Sequence, residues 1–332
     1  MMRLPRFRYF APASVKEALR IKAGEGEEAA FVAGGTDLYP NMKRRQQTPK
    51  TVIGLSRIAS LARLRVGKDG LRVGAAVPLS AIERDRRVRR RWPALVHAIA
   101  EISTPPLRNM GTLGGNVLLD TRCNYYDQNY EWRQAIDFCM KKDGTVCWVA
   151  PGSPRCLAVQ SADSVPILIA LRARAVLASP EGEREIPLED LYANDGIRYL
   201  TKRPDELLTE VRVPAPDGWG ASYRKLRRRG TFDFPVLSVG AAVRREGDRV
   251  IESRIVLGAV ASAPVRAARA EAVLAGRPLD GPAIGEAAQA AAVASRPMDN
   301  TDFSFLWRKE MSSRWVAAAL GEIAASSSAG RP

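Results

Sequence analysis

Short apolar runs broken by glycine, proline and charge fill this chain, and their period changes along its length. Near the start, Ser14 with Glu17 three residues on is a capping-box signature, which predicts a helix running from there toward Ala30. Ala30, Phe31, Val32 and Ala33 then read as a strand that runs straight into Gly34, Gly35, Thr36 and Asp37, with Leu38–Arg45 as a helix-like or turn segment. Thr51–Leu55 and Leu71–Ala75 are further β-rich runs. Pro78, Leu79 and Ser80 are expected to cap a helix over Ala81–Arg91, and Trp92–Ile102 to form another. Ser164–Leu177 is apolar enough for a buried helix or strand pair, and Glu206–Val213 reads as a strand ending at Pro214. The turn-rich Pro214–Gly220 marks the main domain boundary. Beyond it, strands over Val236–Arg244 and Val250–Val260 precede helices over Pro264–Ala275, Ala283–Ala294 and Trp307–Ala325. Strands followed by helices describe an α+β domain. Residues 326–332 read as a disordered tail.

Composition narrows the class. At 332 residues, 46% hydrophobic and 26% charged, the chain suits a soluble globular protein of two or three domains. The basic N-terminus lacks the apolar core of a secretory signal, and no apolar stretch reaches the roughly eighteen residues of a membrane span, so a cytoplasmic protein is expected. The net charge of +15 invites a nucleic-acid reading. Its distribution argues against one: the basic residues gather in an arginine run from Arg84 to Arg91 and another at Arg227, Arg228 and Arg229, without interleaved aromatic residues or a recognisable binding motif. An acidic protein partner or a phosphorylated ligand suits the charge as well.

Candidate chemistry lies in glycines and cysteines. The strand-to-turn step at Gly34-Gly35-Thr36-Asp37 and the small-residue turn Thr112-Leu113-Gly114-Gly115-Asn116 both let backbone N–H groups approach a phosphate. Neither matches the G-x-G-x-x-G dinucleotide fingerprint. All four cysteines, Cys123, Cys139, Cys147 and Cys156, fall in one window with spacing C-x15-C-x7-C-x8-C. In a reducing compartment such clustering suits a metal or cluster better than disulfides. The long irregular spacings fit an iron–sulfur cubane wrapped by a loop better than the paired knuckles of structural zinc, with zinc and free thiols as the other readings. Tyr125, Tyr126, Tyr130, Trp132 and Trp148 in the same window are expected to shield such a centre from water. His97, the only histidine, sits among Leu95, Val96, Ala98 and Ile99 and reads as a buried or half-buried structural residue. Its solitude argues against a Ser-His-Asp or Cys-His apparatus.

Three separated motifs, FVAGGTDL, TLGGN and YRKLRRR, together resemble the flavin subunit of the molybdenum hydroxylase family, which includes xanthine dehydrogenase and carbon monoxide dehydrogenase. The resemblance spans nearly the whole chain. It implies a two-part α/β FAD-binding domain of the PCMH/VAO-like type over residues 1–216, with residues 117–160 as an inserted loop, and a smaller α+β C-terminal domain with antiparallel sheet and helices over residues 217–325. By the same resemblance Phe31, Val32, Ala33, Gly34, Gly35, Thr36, Asp37 and Leu38 contact FAD, as do Thr112, Leu113, Gly114, Gly115 and Asn116. Ile102, Asp163, Leu208 and Lys225 match further flavin-pocket positions. The four-cysteine insert departs from the common pattern and resembles the 4-hydroxybenzoyl-CoA reductase branch, whose extra loop carries a [4Fe-4S] cluster ligated here by Cys123, Cys139, Cys147 and Cys156. That implies an electron-transfer subunit, not catalytic by itself. Molybdopterin would lie on a large subunit and [2Fe-2S] clusters on a small one, in a dimer of heterotrimers fed by a ferredoxin, without nucleic acid or membrane. Two alternatives stand beside it: the flavin subunit of an oxidative molybdenum hydroxylase, and a basic binding protein with a four-cysteine zinc site.

Overall fold

The computed structural model describes residues 3–328. Strand β1 (Arg8–Phe10) leads to helix α1 (Val15–Glu25), then β2 (Ala29–Val32), α2 (Leu38–Lys43) and β3 (Thr51–Gly54). The Ser14 cap forms, its Oγ accepting from the Glu17 N–H at 3.1 Å, while the Glu17 carboxylate reaches one residue further back than a capping box and accepts from the Ala13 N–H at 2.9 Å. The three strands make a parallel sheet in the order β1-β3-β2. The carboxyl end of β2 therefore delivers the first glycine turn, which is where parallel sheets with crossover helices bind ligands.

The chain continues through β4 (Leu64–Val66), β5 (Gly70–Gly74), α3 (Leu79–Arg84), α4 (Arg86–Arg91), α5 (Pro93–Ala100), α6 (Pro105–Arg108) and α7 (Leu113–Val117). The single helix expected over Ala81–Arg91 is two. Asp85 leaves the helical region at φ −68° and ψ 114°, and its carboxylate accepts from the Arg87 and Val88 N–H groups at 2.8 and 3.3 Å, so it caps α4. His97 also departs from expectation: it is exposed on α5 while Leu95, Val96, Ala98 and Ile99 are buried. The apolar residues claim the inward stripe of that helix, and the imidazole takes its outer side.

After the cysteine window with its one short helix α8 (Tyr130–Ala135), the apolar segment is a helix followed by a strand: α9 (Ser164–Ala170), then β6 (Arg174–Ser179). With β7 (Gly182–Pro187) and β8 (Leu207–Pro214) they complete a second, five-stranded sheet ordered β4-β5-β8-β6-β7, whose pairings are all antiparallel. The C-terminal part comprises β9 (Trp219–Leu226), β10 (Leu237–Glu246), β11 (Arg249–Gly258), β12 (Val265–Arg266), α10 (Ala268–Leu274), α11 (Gly281–Ala294) and α12 (Phe305–Ser328). Its four strands form an antiparallel sheet, and the three helices cover one face. The mixed α+β architecture expected from the chain is thus present. Residues 326–328, expected to be disordered, form the last residues of α12; residues 329–332 of that tail lie outside the described residues.

The other face of the C-terminal sheet joins the main core. Tyr223, Ala242 and Val256 pack into the same buried cluster as Leu95, Val165 and Val211. Gly240 sits where a Cβ would meet the Pro166 backbone at 2.4 Å, which lets α9 press directly onto β10. Arg308, fully buried, donates to the carbonyls of Val236, Met298 and Ala259 at 2.9, 2.9 and 2.6 Å. Burial pushes its guanidinium down to about 10.

Candidate functional site

Both glycine turns open onto one cavity of about 510 Å³. Its wall includes every residue from Phe31 to Leu38, then Thr112, Gly114, Gly115 and Asn116, with Ile102, Asp163 and Leu208 from elsewhere in the chain. Packing explains why the turns meet. A Cβ on Gly34 would lie 1.8 Å from the Met110 carbonyl oxygen, so only glycine lets the first turn rest on the segment that enters the second. The second turn starts α7, where Thr112 Oγ1 accepts from the Gly115 N–H at 3.1 Å. Asn116 Oδ1 accepts from the Ser164 hydroxyl at 2.6 Å and so ties that turn to α9. In the first turn the N–H groups of Gly35 and Thr36 have no hydrogen-bond partner among the described residues. They are free donors at the cavity, suited to an oxyanion such as a diphosphate. The residues present therefore fit a dinucleotide of the FAD type.

Two expected residues sit behind the wall. Leu113 is fully buried in the core. Lys225, on β9, reaches Asp163 from the far side: its ammonium donates to Asp163 Oδ2 at 3.0 Å and to the Glu101 carbonyl at 2.9 Å. Tyr223 on the same strand donates to Asp163 Oδ1 at 2.6 Å. The Asp163 and Lys225 side chains are 4% and 1% exposed. Burial raises the Asp163 carboxyl and lowers the Lys225 ammonium, and each charge opposes the shift of the other. The C-terminal strand thus fixes a carboxylate at the edge of the cavity.

Other wall residues were not foreseen. Asp120 and Arg122 come from the start of the insert, Tyr199 and Lys202 precede β8, and Phe232, Asp233 and Phe234 come from the β9–β10 loop. Arg122 donates to Asp37 Oδ1 at 2.5 Å and stacks 3.9 Å above the Phe234 ring. Burial raises the Asp37 carboxyl while Arg122 pulls it back. The only local sign of these residues is a paired Phe-Asp-Phe in a polar stretch and an arginine beside Cys123.

The four cysteines are free and buried. Cys123, Cys139 and Cys156 share a cluster with Tyr126 and Ala158, and Cys147 lies near enough to Cys156 for their charges to interact. Burial pushes Cys123 up to about 12 and Cys156 to about 11, while N–H groups of Tyr125, Tyr126 and Ala158 directed at the two sulfurs pull the other way. Among the described residues no three His, Cys, Asp or Glu side chains close on a single metal position. Buried thiols with N–H donors aimed at them suit a group that carries its own positive charge to draw off the protons. A compact peptide frame surrounds Cys139: its carbonyl accepts from the Lys142 and Gly144 N–H groups at 2.9 and 3.1 Å, and Asp137 and Phe138 adopt φ +61° and +58°. The aromatic shield is partial. Tyr126 is buried and Tyr125 and Trp148 flank the thiols, whereas Tyr130 and Trp132 are 48% and 39% exposed because α8 turns them outward.

Comparison with known proteins agrees with this geometry. Residues 5–216 match the FAD binding domain in molybdopterin dehydrogenase, and residues 221–323 match the CO dehydrogenase flavoprotein C-terminal domain. This chain belongs to the FAD-binding subunits of the molybdenum hydroxylase family. Within the family it is similar to the carbon monoxide dehydrogenase medium chain of Hydrogenophaga pseudoflava, at 28% identity over 95% of this chain and 96% of that one. It is 32% identical to the aldehyde oxidoreductase FAD-binding subunit PaoB of Escherichia coli over 74% of this chain and 79% of the relative. A solved structure of carbon monoxide dehydrogenase from Hydrogenophaga pseudoflava superposes with a TM-score of 0.80 at 29% identity, covering 96% of this chain and 98% of that chain. As a member of the family, the chain is a flavoprotein subunit of an oxidoreductase. Among its described residues no helix is long and apolar enough to cross a membrane.

Proposed function

We propose that this chain is the FAD-carrying electron-transfer subunit of a molybdenum hydroxylase that oxidises its substrate, and that the four-cysteine insert holds a [4Fe-4S] cluster. The single cavity formed by both glycine turns, with free N–H donors at its edge, carries the FAD part of this reading. Bound FAD supplies the exchange between electron pairs and single electrons. The chain's own residues do the rest. Gly35 and Thr36 would donate to the diphosphate, and Phe31, Ile102 and Leu208 would exclude water from the bound group, while Tyr223 and Lys225 hold the Asp163 carboxylate as a fixed acceptor. Cys123, Cys139, Cys147 and Cys156 would ligate the cluster.

The oxidative direction follows the relatives, which are named carbon monoxide dehydrogenase, aldehyde oxidoreductase and nicotine 6-hydroxylase. An aldehyde is the first substrate class to test, given the relative at 32% identity. Several relatives are named medium chains or subunits, so the active assembly would join this chain to a molybdopterin-binding large subunit and a [2Fe-2S] small subunit, with a ferredoxin as electron donor in the reductive reading alone. A second reading, reductive removal of the hydroxyl of 4-hydroxybenzoyl-CoA, is favoured by the insert itself. The test is the assembled complex assayed both ways. Aldehyde-dependent reduction of an artificial acceptor, without turnover of 4-hydroxybenzoyl-CoA by reduced viologen, is expected. The converse pattern would establish the reductase reading.

A further inference from the structure

One buried cation joins the insert to the flavin cavity. The Lys141 side chain is 7% exposed, and its ammonium donates to Asp120 Oδ1 at 2.8 Å, Thr121 Oγ1 at 2.8 Å and the Gly196 carbonyl at 2.7 Å. These use all three of its protons. The same nitrogen lies 5.0 Å from the Tyr126 ring centre and 5.7 Å from that of Tyr199.

Its surroundings belong to two sites. Asp120 and Tyr199 line the flavin cavity. Gly196 lies against Cys156: a Cβ there would come within 2.6 Å of Cys156 Sγ, and the Gly196 N–H donates to the Cys156 carbonyl at 2.9 Å. Tyr126 packs with Cys123, Cys139 and Cys156. The ammonium therefore stands in a wall shared by cavity and thiols. Burying an ammonium is costly unless its charge is compensated. Asp120 is its sole ion-pair partner among the described residues and also accepts from the Gln47 amide at 3.1 Å.

We propose that Lys141 is a positioning residue that pins the cysteine insert to the flavin cavity and, through its fixed charge, raises the reduction potential of the cluster; this rests on the [4Fe-4S] reading above. Reduction makes a cluster more negative by one unit, so a cation beside it stabilises the reduced form, while a carboxylate does the opposite. Lys141 and Asp120 thus act with opposite signs through one ion pair.

The test uses the full chain with its co-expressed partner subunits, purified anaerobically, as wild type, Lys141→Met, Lys141→Arg and Asp120→Asn. Iron and flavin are counted, and the cluster midpoint potential is read by a redox titration followed by electron paramagnetic resonance. Lys141→Met is expected to shift the midpoint to more negative values, Asp120→Asn to more positive values, and Lys141→Arg to stay near wild type. Unmoved potentials, or shifts of the same sign in Lys141→Met and Asp120→Asn, overturn the proposal. If Lys141→Met fails to fold or loses its iron, Asp120→Asn decides alone: no positive shift overturns the proposal, and a positive shift supports it. Wild-type complex without iron removes the cluster reading and this proposal with it, whereas iron-loaded wild type with unresponsive variants removes only the role of Lys141.

Discussion

Asp163 is a carboxylate withdrawn from water, so its stability in the fold depends on the two donors that β9 brings to it. Removing one partner of a buried ion pair leaves the other uncompensated, at about 3–5 kcal/mol. Lys225→Met is therefore expected to destabilise the protein by that amount, whereas Tyr223→Phe, which removes one hydrogen bond, is expected to cost about 1–3 kcal/mol. Urea unfolding of the three proteins checks this, and a Lys225→Met protein as stable as wild type would contradict it. At this scale the sequence was readable where chemistry announces itself locally. Gly34, Gly35, Gly114 and Gly115 mark turns, and together with Asp163 they line the cavity. Arg122, Tyr199 and Tyr223 were not legible, because each is one ordinary residue whose partner lies far along the chain: 85 residues separate Arg122 from Asp37 and 60 separate Tyr223 from Asp163.

Among elements, the two helices α3 and α4 show how a single side chain overrides a pattern. The run of arginines continues the helical period through Asp85, so the sequence reads as one helix; the carboxylate instead bonds two N–H groups of the following turn and starts a second. Hydrogen bonds from Arg87 hold the Asp85 carboxyl at about 2, below its usual 3.8. A group lowered in the folded state stabilises above its unfolded value and loses that contribution as pH falls through its folded value. Asp85→Ala is thus expected to cost about 1 kcal/mol at neutral pH, and the gap from wild type should close between roughly pH 4 and pH 2. Denaturant midpoints at stepped pH would show it; a gap that stays constant across that range would contradict the cap. The strand that enters the first glycine turn was legible because a short apolar run ending in glycine carries its own punctuation. His97 was misjudged because apolar neighbours in sequence face the other side of a helix.

Across the whole molecule, the cavity is a joint product of regions that sequence order keeps apart. The first sheet supplies one turn, the second sheet supplies Leu208, the insert supplies Asp120 and Arg122, and the C-terminal part supplies Phe232 and Phe234 to the same cavity wall. The order of strands and helices was enough to foresee an α+β architecture, since each run must bury one face. The place of the β9–β10 loop in the cavity wall was not, since nothing in a loop's composition names the distant surface it will meet. The cysteine window stood out through clustering alone, and whether it holds a cluster decides what this subunit carries besides FAD. Iron, acid-labile sulfide, zinc and flavin counted on anaerobically purified protein, with the visible spectrum before and after dithionite, decide between a cluster and its absence. About four irons and four sulfides per FAD are predicted, with absorbance that bleaches on reduction; one zinc and no flavin would contradict the cluster reading.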